Sequence, residues 1–186
     1  MDAFESVIAL LLRQEGYWVI PSFKVEITRE EKRKIGRPSS PRWEIDLVAY
    51  QGATNEVLAV ECKSFLDSRG VIFYDGSLQP PERFKLFSDS TLREVVLVRL
   101  SQQLVSLKFC PPNHIVHLAL ATGKIASTTD KNELLQYFSQ HDWKLFDDDW
   151  VQEKLKNLKL SRYENDPVYV AAKLALREKR RNKIMG

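Results

Sequence analysis

A chain of 186 residues with 44% apolar and 28% charged content is long enough to bury one substantial core and most simply forms a single domain. Its formal net charge of +3 is too small to argue for a polyanionic partner by itself, so the placement of charge matters more than its sum. Two cysteines, Cys62 and Cys110, exclude a disulfide framework and a four-cysteine zinc site.

Phe4, Val7, Ile8, Leu11 and Leu12 recur at helical spacing and Gly16 follows Glu15, which predicts an amphipathic helix over 2–15. Acids rather than bases precede this apolar run and Arg13 interrupts it, a pattern of neither a signal peptide nor a membrane span. The expectation is therefore a cytoplasmic, reducing location. Tyr17 to Ile27 reads as a strand kinked at Pro21, and residues 28–42 as a polar, basic connection. Trp43 to Tyr50 and Glu56 to Lys63 read as two strands joined by the turn QGATN. Residues 64–88 read as an irregular stretch punctuated by Gly70, Gly76, Pro80 and Pro81.

Thr91 to Phe109 reads as a helix that Pro111-Pro112 cannot continue. The apolar run from His114 to Thr122 has the pattern of a buried internal strand. Helices are expected over 130–140 and 149–160, and a last one from the Asp166-Pro167 pair to about Lys183. Together these elements predict an α/β sandwich, a central mixed sheet flanked by helices. Residues 1–142 would form the core domain and 143–186 a helical extension packed on or flanking it.

The chemistry gathers in the two central strands. Residues two apart share a face of a strand, so Glu44, Asp46 and Val48 are expected to point one way. Glu61 and Lys63 share a face of the next strand, opposite Leu58, Val60 and Cys62. A hairpin through QGATN would bring two acids and a lysine to one end of the sheet. Buried carboxylates are costly unless paired or bound to a metal. Two of them beside a backbone carbonyl, that of Cys62, make the hard-oxygen site that Mg²⁺ (or Mn²⁺) prefers. Phosphodiester hydrolysis needs such a metal, and Lys63 would orient the attacking water and stabilise the developing charge.

This arrangement resembles the PD-(D/E)XK nuclease superfamily, which includes Holliday-junction resolvases and Mrr-type endonucleases. The likeness covers the leading helix with Glu5, the strand WEIDLVAY, the strand AVECK, the following helix and the strand HIVHLALAT. It implies a restriction-endonuclease-like three-layer sandwich and a Mg²⁺-dependent endonuclease acting on DNA, with RNA left open. Asp46, Glu61 and Lys63 match the core motif, and Glu5 matches an acid often found on the first helix, a further metal ligand. The proline before the aspartate is replaced by Glu44-Ile45. Many relatives act as homodimers, so a homodimer is expected.

Plainer readings stand beside these. The bare acid-x-Lys pattern occurs three times, as Glu30–Lys32, Glu61–Lys63 and Asp142–Lys144, and only the second ends an apolar strand. For Asp46, Glu61 and Lys63 the alternative is a buried salt-bridge cluster. Asp2-x-x-Glu5 also fits a capping box, so Glu5 has two candidate roles. Gln103, on the apolar side of its helix with Leu92, Val96, Leu100 and Leu107, reads better as a structural hydrogen bonder than as a site residue; Gln102 competes. Residues 29–42 carry six basic and two acidic side chains, and Arg33, Lys34, Arg37 and Arg42 are candidate phosphate contacts. Lys173 to Lys183 holds six basic residues against one acid and reads equally as a phosphate grip or a solvated helix end. Asp147-Asp148-Asp149 reads as a helix start rather than a metal cluster, and the three histidines lack zinc spacing with either cysteine. Phe73, Tyr74, Phe84 and Phe87, interleaved with Arg69, Arg83 and Lys85, read either as a base-stacking loop or as anchors of a long loop. A non-catalytic nucleic-acid-binding module of the same fold is the competing reading of the whole.

Overall fold

The first helix, α1 (Ala3–Gln14), begins where the sequence places it because Asp2 caps it: its carboxylate accepts the Glu5 N–H at 2.8 Å, and Glu5 in turn accepts the Asp2 N–H at 3.0 Å. The computed structural model to which it belongs describes residues 1–39, 42–158, 160, 162 and 164–176. Two compact units follow one another along the chain, Met1–Asp148 and Asp149–Gly186.

The first unit is built on a five-stranded mixed sheet in the order β1 (Trp18–Val25), β2 (Trp43–Gln51), β3 (Glu56–Lys63), β6 (Ile115–Thr122), β7 (Lys144–Phe146). β1, β2 and β3 form an antiparallel meander, and β3, β6 and β7 run parallel. β6 pairs on both sides, as its unbroken apolar run requires. Helix α1 packs against β1, β2 and β3. On the other face, α4 (Ser90–Ser106) and α5 (Thr128–Gln140) contribute Leu92, Val96, Leu100, Leu134 and Phe138 to one core cluster with Val48, Ala59, Leu118 and Leu120. The intervening Leu58, Val60 and Ala119 are also fully buried but lie outside that cluster, as alternation along a strand demands. The first unit is thus a three-layer α/β sandwich.

Four local expectations change. The basic connection contains a short helix, α2 (Arg29–Lys34), capped by the Thr28–Glu31 box and tied to α4 by Glu31–Arg99 at 2.7 Å. Burial raises the Glu31 carboxyl, but the Arg99 guanidinium and the Thr28 donors outweigh it and hold the group below its usual range. The supposedly irregular stretch folds as a hairpin, β4 (Ile72–Tyr74) and β5 (Ser77–Gln79), followed by a 3₁₀ turn at Pro81–Arg83 and a one-turn helix α3 (Lys85–Ser88). The turn residues Asp75 and Gly76 have φ of 50° and 69°, the left-handed pair that a tight hairpin needs. Helix α4 ends three residues early: Lys108 turns left-handed at φ 59°, and the Phe109 N–H closes back on the Leu104 carbonyl at 2.9 Å. Leu107 is accordingly exposed and Leu104 takes its place in the core. Finally, residues 144–146 form a strand of the main sheet, so the first unit reaches Asp148 rather than ending at 142.

The second unit holds α6 (Asp148–Leu158) and α7 (Pro167–Ala175); α7 starts on the expected cap, with the Asp166 carboxylate accepting the Val168 N–H at 2.8 Å. The expected continuation of this helix to Lys183, and most of the basic run from Lys173, lie outside the described residues.

Candidate active site

β2 and β3 pair in unbroken register from Gln51–Glu56 to Leu47–Val60, and there the ladder stops. The next pair would be Asp46 opposite Glu61. On the other side of β2 the β1 register skips the position facing Asp46, between Pro21–Leu47 and Phe23–Ile45, where Ser22 sits at φ 50°. Asp46 therefore lies between two lapsed rungs. One is replaced by its own side chain, whose Oδ2 accepts the Cys62 N–H at 2.7 Å. Ile45 and Val48, three apart, both belong to the same core cluster, so strict alternation does not hold across Asp46. The flat-strand expectation that Glu44, Asp46 and Val48 share a face is corrected accordingly. Glu44 is exposed.

Glu61 and Lys63 share a face as expected, with Lys63 Nζ 3.3 Å from Glu61 Oε2. Glu61 is only 9% exposed. Its carboxyl is pushed above the usual range by burial; Lys63 opposes the shift and Asp46 adds to it. Burial likewise raises Asp46, against the pull of the Cys62 N–H and Lys63. The Cys62 thiol is driven far upward by burial and by Asp46, Glu5 and Asp2, which keeps its sulfur a neutral thiol. Only its backbone is suited to a hard cation.

Behind Lys63 the chain is held tightly. The Gly123 N–H donates to the Lys63 carbonyl at 3.1 Å, and a Cβ on Gly123 would lie 2.5 Å from the Ser64 carbonyl oxygen. Gly70, at φ 98°, approaches the Lys124–Ala126 backbone almost as closely. These glycines let residues 64–71 lie against the segment that follows β6; the sequence marked Gly70 only as punctuation and did not single out Gly123.

The remaining candidates divide. Glu5 lies near enough to act on Cys62, yet its carboxylate is engaged in the α1 cap and stands 3.7 Å from the chain's amino group. Among the described residues, no group of three or more acids, histidines and cysteines comes together in metal-binding geometry, so the site's acids are the pair Asp46 and Glu61. Gln103 Oε1 accepts the Glu26 N–H at 2.8 Å, which makes it a link between α4 and the end of β1, and Gln102 accepts from Arg99. Arg33 and Lys34 are exposed on α2; Arg37 stacks over the Trp43 ring at 4.9 Å; Arg42 pairs with Glu26 at 3.2 Å. The connection carrying all four leaves β1 at Val25 and enters β2 at Trp43, at the same end of the sheet as Asp46. Asp147 and Asp148 each pair with Lys131 at 2.9 Å. Among the described residues, His114, His117 and His141 belong to no group of three or more potential metal ligands.

No family model matches the chain, and no curated protein matches it. The chain is similar to a solved structure described as a protein of unknown function, AF1548, at 13% identity and a TM-score of 0.44, over 94% of this chain and 79% of that one. Nothing about activity follows from that likeness.

Proposed function

We propose that this protein is a metal-dependent nuclease of restriction-endonuclease-like fold that hydrolyses phosphodiester bonds in DNA. One observation carries the reading: Asp46 and Glu61, two carboxylates withdrawn from water at the frayed end of β2 and β3, have one lysine between them. A buried acid pair lacking positive charge is stabilised by a divalent cation, and hard carboxylate oxygens suit Mg²⁺ or Mn²⁺. Such a cation, when bound, supplies charge neutralisation at the phosphate and acidifies the attacking water.

The chain's own residues do the rest. Asp46 is aimed by the Cys62 N–H, which fixes one of its oxygens. Glu61 is fixed by Lys63. Lys63, largely shielded at 24% side-chain exposure, would present its ammonium where a water and a phosphoryl oxygen meet, orienting the one and stabilising charge on the other. The exposed Arg33 and Lys34 provide sequence-independent attraction for the phosphate backbone.

Cleavage of labelled single-stranded, duplex and four-way-junction DNA, and of RNA, is compared with Mg²⁺ or Mn²⁺ for the wild type and Lys63→Ala. Cutting that needs metal and disappears in the variant is expected. Salt-sensitive binding with no cutting of any substrate would instead favour a non-catalytic nucleic-acid-binding module, a reading encouraged by the commitment of Glu5 to the helix cap.

A further inference from the structure

The aromatic residues between Arg69 and Phe87 separate into two kinds. Phe73, Phe84 and Phe87 are buried, and their rings pack on Tyr137, Phe65 and Phe138 respectively. These are anchors. Tyr74 is different: it is 72% exposed at the tip of the β4–β5 hairpin.

The strand leading to that tip is tied down. The Phe73 N–H donates to Asp130 Oδ1 at 2.7 Å, and Val71, bridged to Ile125, exchanges backbone hydrogen bonds with Lys124 and Ala126 at 3.0 and 2.8 Å. Tyr74 thus follows a strand hydrogen-bonded into the domain, which limits the ordering cost of anything that stacks on it. Beside it opens a cleft of about 760 Å³ lined by Arg69, Tyr74, Gln79, Thr129, Asp130 and Glu133, among others. Acids outnumber the single arginine there, so a run of phosphates is disfavoured inside. A flat, uncharged, hydrogen-bonding group is favoured: the ring can stack on Tyr74 and its amino groups can donate to the exposed Glu133 carboxylate.

We propose that this cleft takes one unpaired nucleobase of the DNA strand, stacked on Tyr74 with the adjoining phosphate held by Arg69. The proposal rests on the nuclease reading for its choice of DNA and makes single-stranded or frayed DNA the preferred substrate. The cleft and the acid pair serve the same strand. Lys63 pairs with Thr122, Val71 pairs with Ile125 three residues further on, and Tyr74 lies three residues beyond Val71, so Lys63 and Tyr74 are at most about 30 Å apart. At a stacked spacing of about 3.4 Å per nucleotide, that is at most about nine nucleotides of one strand.

The test uses the full chain in EDTA, which reads binding without cleavage, and a single-stranded oligonucleotide carrying a fluorescent adenine analogue, alone or annealed to its complement. On the single strand the wild type is expected to quench the analogue. Tyr74→Ala should abolish the quench and weaken binding about ten- to a hundredfold, and Tyr74→Phe should keep both. All three proteins should melt alike, because the side chain is exposed. Wild-type affinity and quench in Tyr74→Ala would overturn the proposal, as would equal binding of single strand and duplex by the wild type without quench. The two readings fail separately. Stacking that depends on Tyr74, in a protein that cuts no DNA with metal, supports the cleft and removes the nuclease. Metal-dependent cutting that Tyr74→Ala leaves intact, with single-strand binding also intact, removes the cleft and keeps the nuclease.

Discussion

The two ends of β3 carry the same residue in opposite circumstances. At its start, Glu56 sits near two basic side chains, His117 at 3.6 Å and Lys144 at 3.9 Å, and accepts the Thr54 hydroxyl at 2.9 Å. There the β2–β3 ladder is in full register. At its finish, Glu61 shares one lysine with Asp46, and the ladder lapses on both sides of that aspartate. One end of the strand is a satisfied structural cluster. The other keeps two carboxylates at a cost, which is the condition under which a ligand cation is worth having.

The largest expected effect sharpens that contrast. Lys63→Ala and Asp46→Asn should each lower metal-dependent cleavage by roughly 10²–10⁴-fold, while His117→Gln at the other end leaves cleavage unchanged and costs about 1 kcal/mol of stability, read from urea unfolding. Next comes Gly123→Ala. Its Cβ would collide with the Ser64 carbonyl, so the chain just after Lys63 must shift. Stability should fall by about 1–3 kcal/mol, and cleavage should fall further than the fraction unfolded explains.

A smaller effect is set by pH. Both Asp46 and Glu61 hold their protons more tightly in the folded chain than outside it. The unfolded chain therefore ionises these two groups first, beginning at about pH 4, and the stability they contribute to the metal-free protein is lost as pH rises from there through the folded values. Glu61→Gln cannot ionise, so its advantage over the wild type should be absent below about pH 4 and grow as pH rises. Urea unfolding at several pH values, without metal, checks the direction. Smallest of all is Trp43→Phe. The indole N–H is buried with no hydrogen-bond partner among the described residues, so its removal should leave the melting temperature unchanged or slightly higher.

Much of this was legible from residues alone where the local pattern was strong. The Asp2–Glu5 cap, the QGATN hairpin and the apolar HIVHLALAT strand all declare themselves, and together they fix which ends of β2 and β3 meet. Thr28-x-x-Glu31 and Asp75-Gly76 were equally explicit signals for α2 and the β4–β5 hairpin, but a charged run and a long glycine- and proline-dotted stretch obscured them. The lapse at Asp46 is of another kind. It depends on Ser22 turning left-handed one strand away and on a side chain substituting for a backbone rung, and no local spacing encodes either. Gly123 is similar, since its role appears only once residues 64–66 lie against it.

The most direct measurement is the melting temperature of the wild type and Glu61→Gln near neutral pH, each with EDTA and with Mn²⁺. Without metal Glu61→Gln should melt at or above the wild type, and Mn²⁺ should raise the wild type alone. If Glu61→Gln instead melts several degrees lower and Mn²⁺ moves neither protein, then Asp46, Glu61 and Lys63 are a structural ion cluster and the nuclease reading falls.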